Sequence, residues 1–247
     1  MKVIISLTSI PSRFDKLPIV LKNLCAQTCH EVWLNIPKSY SRFPDWDGMI
    51  PADLINFDPK LVINRDCEDL GPGTKVLAGA AALDREDLIV YLDDDTNFDP
   101  KLVTNLLKWH KVDPSCAWGM SGFNFELYFH GSYPRQHGAF HDVIEGYGSV
   151  IVKAGWIQDI TEEFKELKVD ARYADDIILS NLLTKRGIGL RTVCTHECNI
   201  GMIQQYSFGF EKDALHNQTS GGHASSYHQV LKSLEDKGKS YFRYKCS

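Results

Sequence analysis

Leu88-Ile89-Val90-Tyr91-Leu92-Asp93-Asp94-Asp95 decides how this chain is read. Five apolar residues run straight into three carboxylates. A short apolar run of this kind is a strand buried on both faces, as in the middle of a parallel sheet. Unpaired charges cannot continue it inside a core, because their desolvation is too costly. The strand must therefore end where the acids begin, at an edge open to solvent or to a cation. In open α/β sheets, ligands bind outside the carboxyl ends of the strands. The acids stand where a site is expected. If the backbone stays extended, Asp93 and Asp95 share one face by the two-residue period. Two carboxylates side by side repel unless a proton or a metal lies between them. Oxygen ligands of this type suit Mg²⁺ or Mn²⁺. The plain alternative is a turn that caps the next helix, and Thr96-Asn97-Phe98-Asp99-Pro100 carries that chemistry.

Upstream, buried-strand and helix patterns alternate. Val3 to Leu7 is the first predicted strand, followed by the loop Thr8-Ser9-Ile10-Pro11-Ser12-Arg13. Leu17, Val20, Leu21 and Leu24 recur at helical spacing, which predicts a helix over about 15–27. Val32–Ile36 and Leu61–Ile63 are the next strands, with Pro37, Pro44, Pro51 and Pro59 breaking up the stretch between them. Gly71-Pro72-Gly73 opens a predicted helix that runs to about Leu83, with Pro72 suited to its first turn. Such alternation is the pattern of a parallel sheet covered by helices. Neither the dinucleotide-binding Gly-x-Gly-x-x-Gly turn nor a Walker phosphate loop is present.

The totals bound the rest. The chain has 247 residues, 43% of them hydrophobic, enough to bury a sizeable core. With 27 basic and 32 acidic residues the formal net charge is −5. That argues against a general nucleic-acid binder, which needs a basic face. Seven cysteines without framework spacing read as reduced thiols in a cytosolic setting. A strand pattern starting at Val3 leaves no room for a signal peptide, and no apolar run reaches the length of a membrane span. The expected location is cytoplasmic, with a membrane-peripheral placement as the alternative. The tail Lys239-Ser240-Tyr241-Phe242-Arg243-Tyr244-Lys245 is basic with interleaved aromatics, and packing on the domain is its expected role.

Downstream of the acids, Lys101 to His110 reads as a helix. From Trp118 to Trp156 aromatic rings and His130, His137 and His141 crowd together, ending in Gly146-Tyr147-Gly148-Ser149 and a strand at Val150–Val152. Rings in such a stretch either fill the core or face sugar C–H surfaces. Residues 174–186 form a late helix, with Ile177, Ile178, Leu182 and Leu183 apolar and Gly187 placed as its C-cap. Asp175 and Asp176 open it. Acids belong at helix N-termini in any case. The same field would lower their pKa and keep one ionised, as a general base requires. Cys194-Thr195-His196-Glu197-Cys198 lacks the fourth ligand of a zinc site and reads as an ordinary strand. His216, or His223 beside Gly221-Gly222, can supply an imidazole to Mn²⁺ from a segment folded back over a site.

Taken in order, these pieces resemble the nucleotide-sugar-dependent glycosyltransferases of the GT-A fold. The resemblance is to small bacterial and large-virus, family-2-like enzymes. It rests on Leu7-Thr8-Ser9-Ile10-Pro11, the stretch Asn35 to Phe43, the Gly71 to Lys75 turn and the Asp93-Asp94-Asp95 motif. It implies one GT-A domain over 1–247, with a nucleotide-binding half over about 1–95, an acceptor half over about 96–215 and a tail over 216–247. It implies Mn²⁺ or Mg²⁺ as cofactor, held by Asp95 with Asp93 and His216. It places Thr8, Arg13, Lys75, Asp93 and Asp94 around a nucleotide-sugar donor, with a UDP-sugar as the default. It makes Asp176 the base of an inverting transfer to a glycan or other hydroxyl acceptor, with Asp175 as the alternative. Two other classes are a metal-dependent nucleotidyl- or phosphotransferase and a non-catalytic sugar-binding domain. The first should carry a Gly-rich, Arg/Lys-bearing loop after strand one, where only Arg13 stands.

Overall fold

The computed structural model describes residues 1–129, 139–167, 174–193, 204–214 and 222–243. Strands β1 (Val3–Thr8), β2 (Glu31–Asn35), β3 (Leu61–Asn64) and β4 (Leu88–Tyr91) follow the apolar runs of the sequence. β1 pairs in parallel with both β2 and β4, and β2 with β3. Three further strands complete the sheet: β5 (Cys116–Gly119), β6 (Val150–Lys153) and β7 (Gly189–Thr192). The order across its seven strands is β7-β5-β6-β4-β1-β2-β3. β6 runs antiparallel to β4 and β5, so the sheet is mixed on that side, whereas β7 and β5 are again parallel. Patterning could not show this reversal: an all-apolar strand looks the same in either direction.

The period of two sorts β4 between two cores. Leu88, Val90 and Leu92 pack with α1 (Leu17–Cys25) and α2 (Leu102–Val112). Ile89 and Tyr91 pack on the other face, with α3 (Thr161–Leu167), α4 (Asp175–Lys185) and α5 (Gly222–Asp236). All five apolar residues are 1% exposed or less, which explains why the run has no polar face.

The helix expected over 71–83 is broken. Gly71–Gly73 is a 3₁₀ turn, Thr74–Leu77 one α-turn, and Ala80–Ala82 a second 3₁₀ turn. Gly79 stops it at φ +78°, a conformation that suits glycine. A Cβ there would also stand 2.5 Å from Trp33 Cζ3. α4 is buried all round, Ser180 and Asn181 included, rather than along one apolar stripe. It ends at Gly187 (φ +71°), with Ile188 N–H donating to Leu183 O at 3.1 Å and Gly187 N–H to Thr184 O at 2.9 Å. That is the paired closure of a Schellman motif. In the tail, α5 occupies 222–236, Phe242 meets Phe125 with centroids 5.0 Å apart, and Tyr241 N–H donates to Asn181 Oδ1 at 2.8 Å. Cys25, Cys29, Cys67 and Cys116 are free thiols. Among the described residues no helix is long and apolar enough to cross a membrane.

Candidate active site

The last ladder bond of β4 is Leu92 N–H to Ser6 O at 3.2 Å, after which the chain turns. Because the extended conformation stops there, Asp93 and Asp95 do not share a face as the two-residue period would have them. Asp94 and Asp95 converge instead on the buried Arg13, whose Nη1 donates to Asp94 Oδ1 at 2.6 Å and Asp95 Oδ2 at 3.2 Å. Ser9 Oγ also donates to Asp94, and Gln205 Nε2 donates to Asp95 at 3.2 Å. Asp93 turns the other way, to the ammonium of Lys75 at 2.6 Å.

Lys75 joins the two acidic motifs. It is 3% exposed, and its Nζ also lies 3.3 Å from Asp175 Oδ2 at the start of α4. Beside it, Gly146 N–H donates to Asp176 Oδ1 at 2.9 Å. A Cβ on Gly146 would meet Lys75 Cε at 2.9 Å and Tyr91 Cε2 at 3.0 Å. The glycine therefore leaves room for the lysine while its backbone anchors Asp176.

Burial sets the electrostatics. Desolvation raises Asp95 to about 6, with Asp93 and Asp94 adding repulsion. It also raises Asp94, against the pull of Arg13. Asp175 and Asp176 move the same way, burial first, Asp176 well above the ordinary range. The helix-dipole expectation of lowered values at this pair is corrected: a terminal dipole contributes about 0.3–2 kcal/mol, and loss of water around a buried carboxylate outweighs it. Burial likewise opposes the charges on Arg13 and Lys75, but their carboxylate partners win and hold both above their usual values.

These groups line one cavity of about 660 Å³ at the carboxyl edge of the sheet. Thr8, Arg13, Lys75, Asp93, Asp94, Asp95, Asp175 and Asp176 all face it. Thr8 Oγ1 donates to Asn35 O at 2.7 Å. His216, His130, His137 and the Cys194–Cys198 cluster lie outside the described residues, and His223 falls in α5 with its side chain undescribed. Residues to which sequence reasoning assigned no role also face the cavity: Tyr40, Arg42, Asp69, Glu145, Gln205 and Asp213. Of these, Glu145 carried a signal, an acid directly before Gly146-Tyr147-Gly148. Residues 204–214 cross the acid turn as a strap. Tyr206 N–H donates to Asp95 O at 2.7 Å, Lys16 Nζ meets Glu211 at 2.7 Å, and Ser12 Oγ donates to Asp213.

Eight carboxylates and three cationic side chains among the described residues line this cavity. An excess of carboxylates over cations fits a hard divalent cation, which such sites hold with one or two carboxylates plus substrate phosphates. Among the described residues, no three His, Cys, Asp or Glu side chains converge as a ready-made metal cage.

No protein-family model matches the sequence, and a search of curated proteins returns no match. Solved structures do match. GalNAc-T7, solved with UDP, GalNAc and Mn²⁺, is similar over 96% of this chain and 50% of its own, at 10% identity and TM-score 0.50. A mannosyltransferase from Pyrobaculum calidifontis, solved with GDP-Man and Mn²⁺, is similar over 78% of this chain and 54% of its own, at 17% identity and TM-score 0.48. The 2-C-methyl-D-erythritol 4-phosphate cytidylyltransferase of Francisella tularensis is similar over 77% and 88%, at 12% identity and TM-score 0.45. The chain spans about half the length of the two sugar transferases. At these identities the likeness speaks for the fold. The mixed seven-stranded sheet flanked by helices is the GT-A fold of nucleotide-diphospho-sugar transferases.

Proposed function

We propose that this chain is a metal-dependent glycosyltransferase that moves a sugar from a nucleotide-diphosphate donor to an acceptor hydroxyl of a glycan, with inversion. The observation that carries the reading is the meeting of Asp93–Asp95 and Asp175–Asp176 across Lys75 in one cavity. In this reading Asp95 would hold Mn²⁺ or Mg²⁺, with Asp93, turned to Lys75 in this structure, and His216 as the other candidate ligands. The bound cation would offset charge growing on the leaving diphosphate. Thr8, Arg13, Lys75 and Asp94 form the donor side. Arg13 acts there by fixing the Asp94–Asp95 turn, since its guanidinium is engaged by both carboxylates. Asp176 takes the proton from the attacking acceptor hydroxyl, with Asp175 as the alternative; the base is the ionised form, which burial makes both scarcer and more basic. Gly146 N–H holds Asp176 through Oδ1, and among the described residues no donor takes its other oxygen, which is the one to receive that proton. A single displacement of this kind needs a base on the acceptor side and no enzyme nucleophile. A phosphotransferase reading finds no support in the loop after β1, which has no glycine and whose basic residues, Arg13 and Lys16, are engaged by Asp94, Asp95 and Glu211.

The test is nucleotide release from a panel of UDP-, GDP- and CMP-sugars with and without Mn²⁺. The expected result is metal-dependent turnover of one donor, with UDP-sugars tried first. No turnover and no Mn²⁺-dependent nucleotide binding across the panel would overturn the reading.

A further inference from the structure

Glu145 is a buried acid that the reaction as proposed does not use. It is 7% exposed and lines the cavity. Its Oε2 accepts from Ser121 Oγ at 2.6 Å, and its backbone N–H donates to Ser121 O at 3.0 Å. Tyr147 Oη donates to Ser121 Oγ at 3.0 Å. Proton donation thus runs one way, from Tyr147 to Ser121 to Glu145. Among the described residues nothing donates to Glu145 Oε1. That oxygen is not sealed from solvent; it opens on the cavity, where a ligand group that donates can reach it.

The surroundings narrow the ligand. Glu145 immediately precedes Gly146, whose N–H grips Asp176. The carboxylate therefore lies next to the proposed base, away from the Arg13 end of the cavity. Aromatic rings wall this end. Tyr128 stacks on Phe123 with centroids 4.6 Å apart, and Phe123 stacks on Tyr227 at 5.5 Å. Tyr128, Tyr227 and Tyr147 all line the cavity, and Tyr147 is 44% exposed. A hydrogen-bond acceptor set among ring faces matches a pyranose, which offers hydroxyl donors at its rim and C–H bonds on its faces. A simple alcohol would leave the rings unused.

We infer that Glu145, backed by Ser121 and Tyr147, docks a neutral sugar unit of the acceptor, accepting a hydrogen bond from a hydroxyl next to the attacking one. This inference rests on the glycosyltransferase reading for its place in the reaction. Its binding claim stands on the cavity alone.

The probes are methyl β-D-glucopyranoside, methyl β-D-galactopyranoside, methyl α-D-mannopyranoside and, as a non-sugar control, 1-hexanol. Binding is read by saturation-transfer NMR and transfer by nucleotide release. In Glu145→Gln the amide oxygen keeps the Ser121 bond and turns an NH₂ donor toward the cavity. At least one glycoside should bind the wild-type protein. Its KM or Kd should rise about ten- to a hundredfold in Glu145→Gln. Affinity for UDP with Mn²⁺, measured by calorimetry, should change less than twofold. Ser121→Ala, a milder change, should raise the glycoside KM in the same direction. If no glycoside binds, if hexanol serves as well, or if the glycoside KM is unchanged in Glu145→Gln, the inference is wrong. If glycosides bind through Glu145 yet no nucleotide sugar is consumed, the transferase reading fails and the sugar site stands.

Discussion

Replacing Lys75 by methionine tests the electrostatics of the site most directly. The side chain keeps its approximate length, so little cavity opens. What disappears is a cation 2.6 Å from Asp93 and 3.3 Å from Asp175. Breaking a buried pair by removing one partner costs about 3–5 kcal/mol. Asp93 is 33% exposed and water can take up part of its charge, whereas Asp175 is only 10% exposed. The lower end of that range, about 3 kcal/mol, is therefore expected at pH 7.5. For a chain of this size that lowers Tm by roughly 6–12 °C. The loss should depend on pH, and its sign follows from the acids. Asp175 and Asp176 already have raised folded-state pKa values, and removing Lys75 raises them further. Such a carboxyl binds more protons folded than unfolded, so stability falls as pH rises from the unfolded value near 4 toward the folded one. The deficit of Lys75→Met should be small near pH 4 and grow to its full size at neutral pH. Urea denaturation of wild type and variant at pH 4.5, 6 and 8 measures it. Adding Asp175→Asn to the variant should recover more than half of the loss, a coupling that a double-mutant cycle reads. A deficit below about 1 kcal/mol at pH 7.5, or one equal at pH 4.5 and pH 8, would refute the account of Lys75 as the shared counter-charge.

Three other outcomes are expected. Asp95→Ala should abolish Mn²⁺-dependent UDP binding in calorimetry while the protein still melts cooperatively; full activity at saturating Mn²⁺ would reduce the acid triplet to a helix cap. Asp176→Asn should lower kcat about 10²–10⁴-fold with donor affinity nearly unchanged, and NMR coupling constants of the product should show an inverted anomeric centre; normal turnover with a stability loss of roughly 0.5–2 kcal/mol would make it a cap instead. Ser149 is a non-glycine residue at φ +92° whose buried hydroxyl has no hydrogen-bond partner among the described residues; Ser149→Gly should raise stability in urea by about 1 kcal/mol, and a lower midpoint would show that the backbone there is not strained.

What the sequence revealed and what it hid divide along one physical line. β1, β2 and β4 were legible because burial on both faces leaves an unbroken apolar run. The end of α4 was legible because a left-handed residue selects glycine at 187. These features depend on neighbours a few residues away. The direction of β6, the break at Gly79 and the upward pKa shifts of Asp175 and Asp176 depend on contacts across the fold. Gly79 turns where Trp33, forty-six positions earlier, closes off its Cβ space. The acidic pair looked like a helix cap with lowered pKa because only the dipole is written locally, whereas desolvation is a property of what packs on top.

Lys75 shows why the candidate site was half visible. A lysine in the first turn of a short helix reads as a solvated side chain, or as a phosphate contact when a family resemblance is invoked. Neither reading gives it Asp93, eighteen positions on, and Asp175, a hundred positions on, as simultaneous partners. Its burial is tolerable because those partners outweigh desolvation, and they are close because Gly146 has no Cβ. The charges of an active site can be counted in a sequence. Which charge answers which is decided by close approach, and here a glycine permits that approach. Any substitution at Gly146 should therefore disturb Lys75 before it disturbs the sheet.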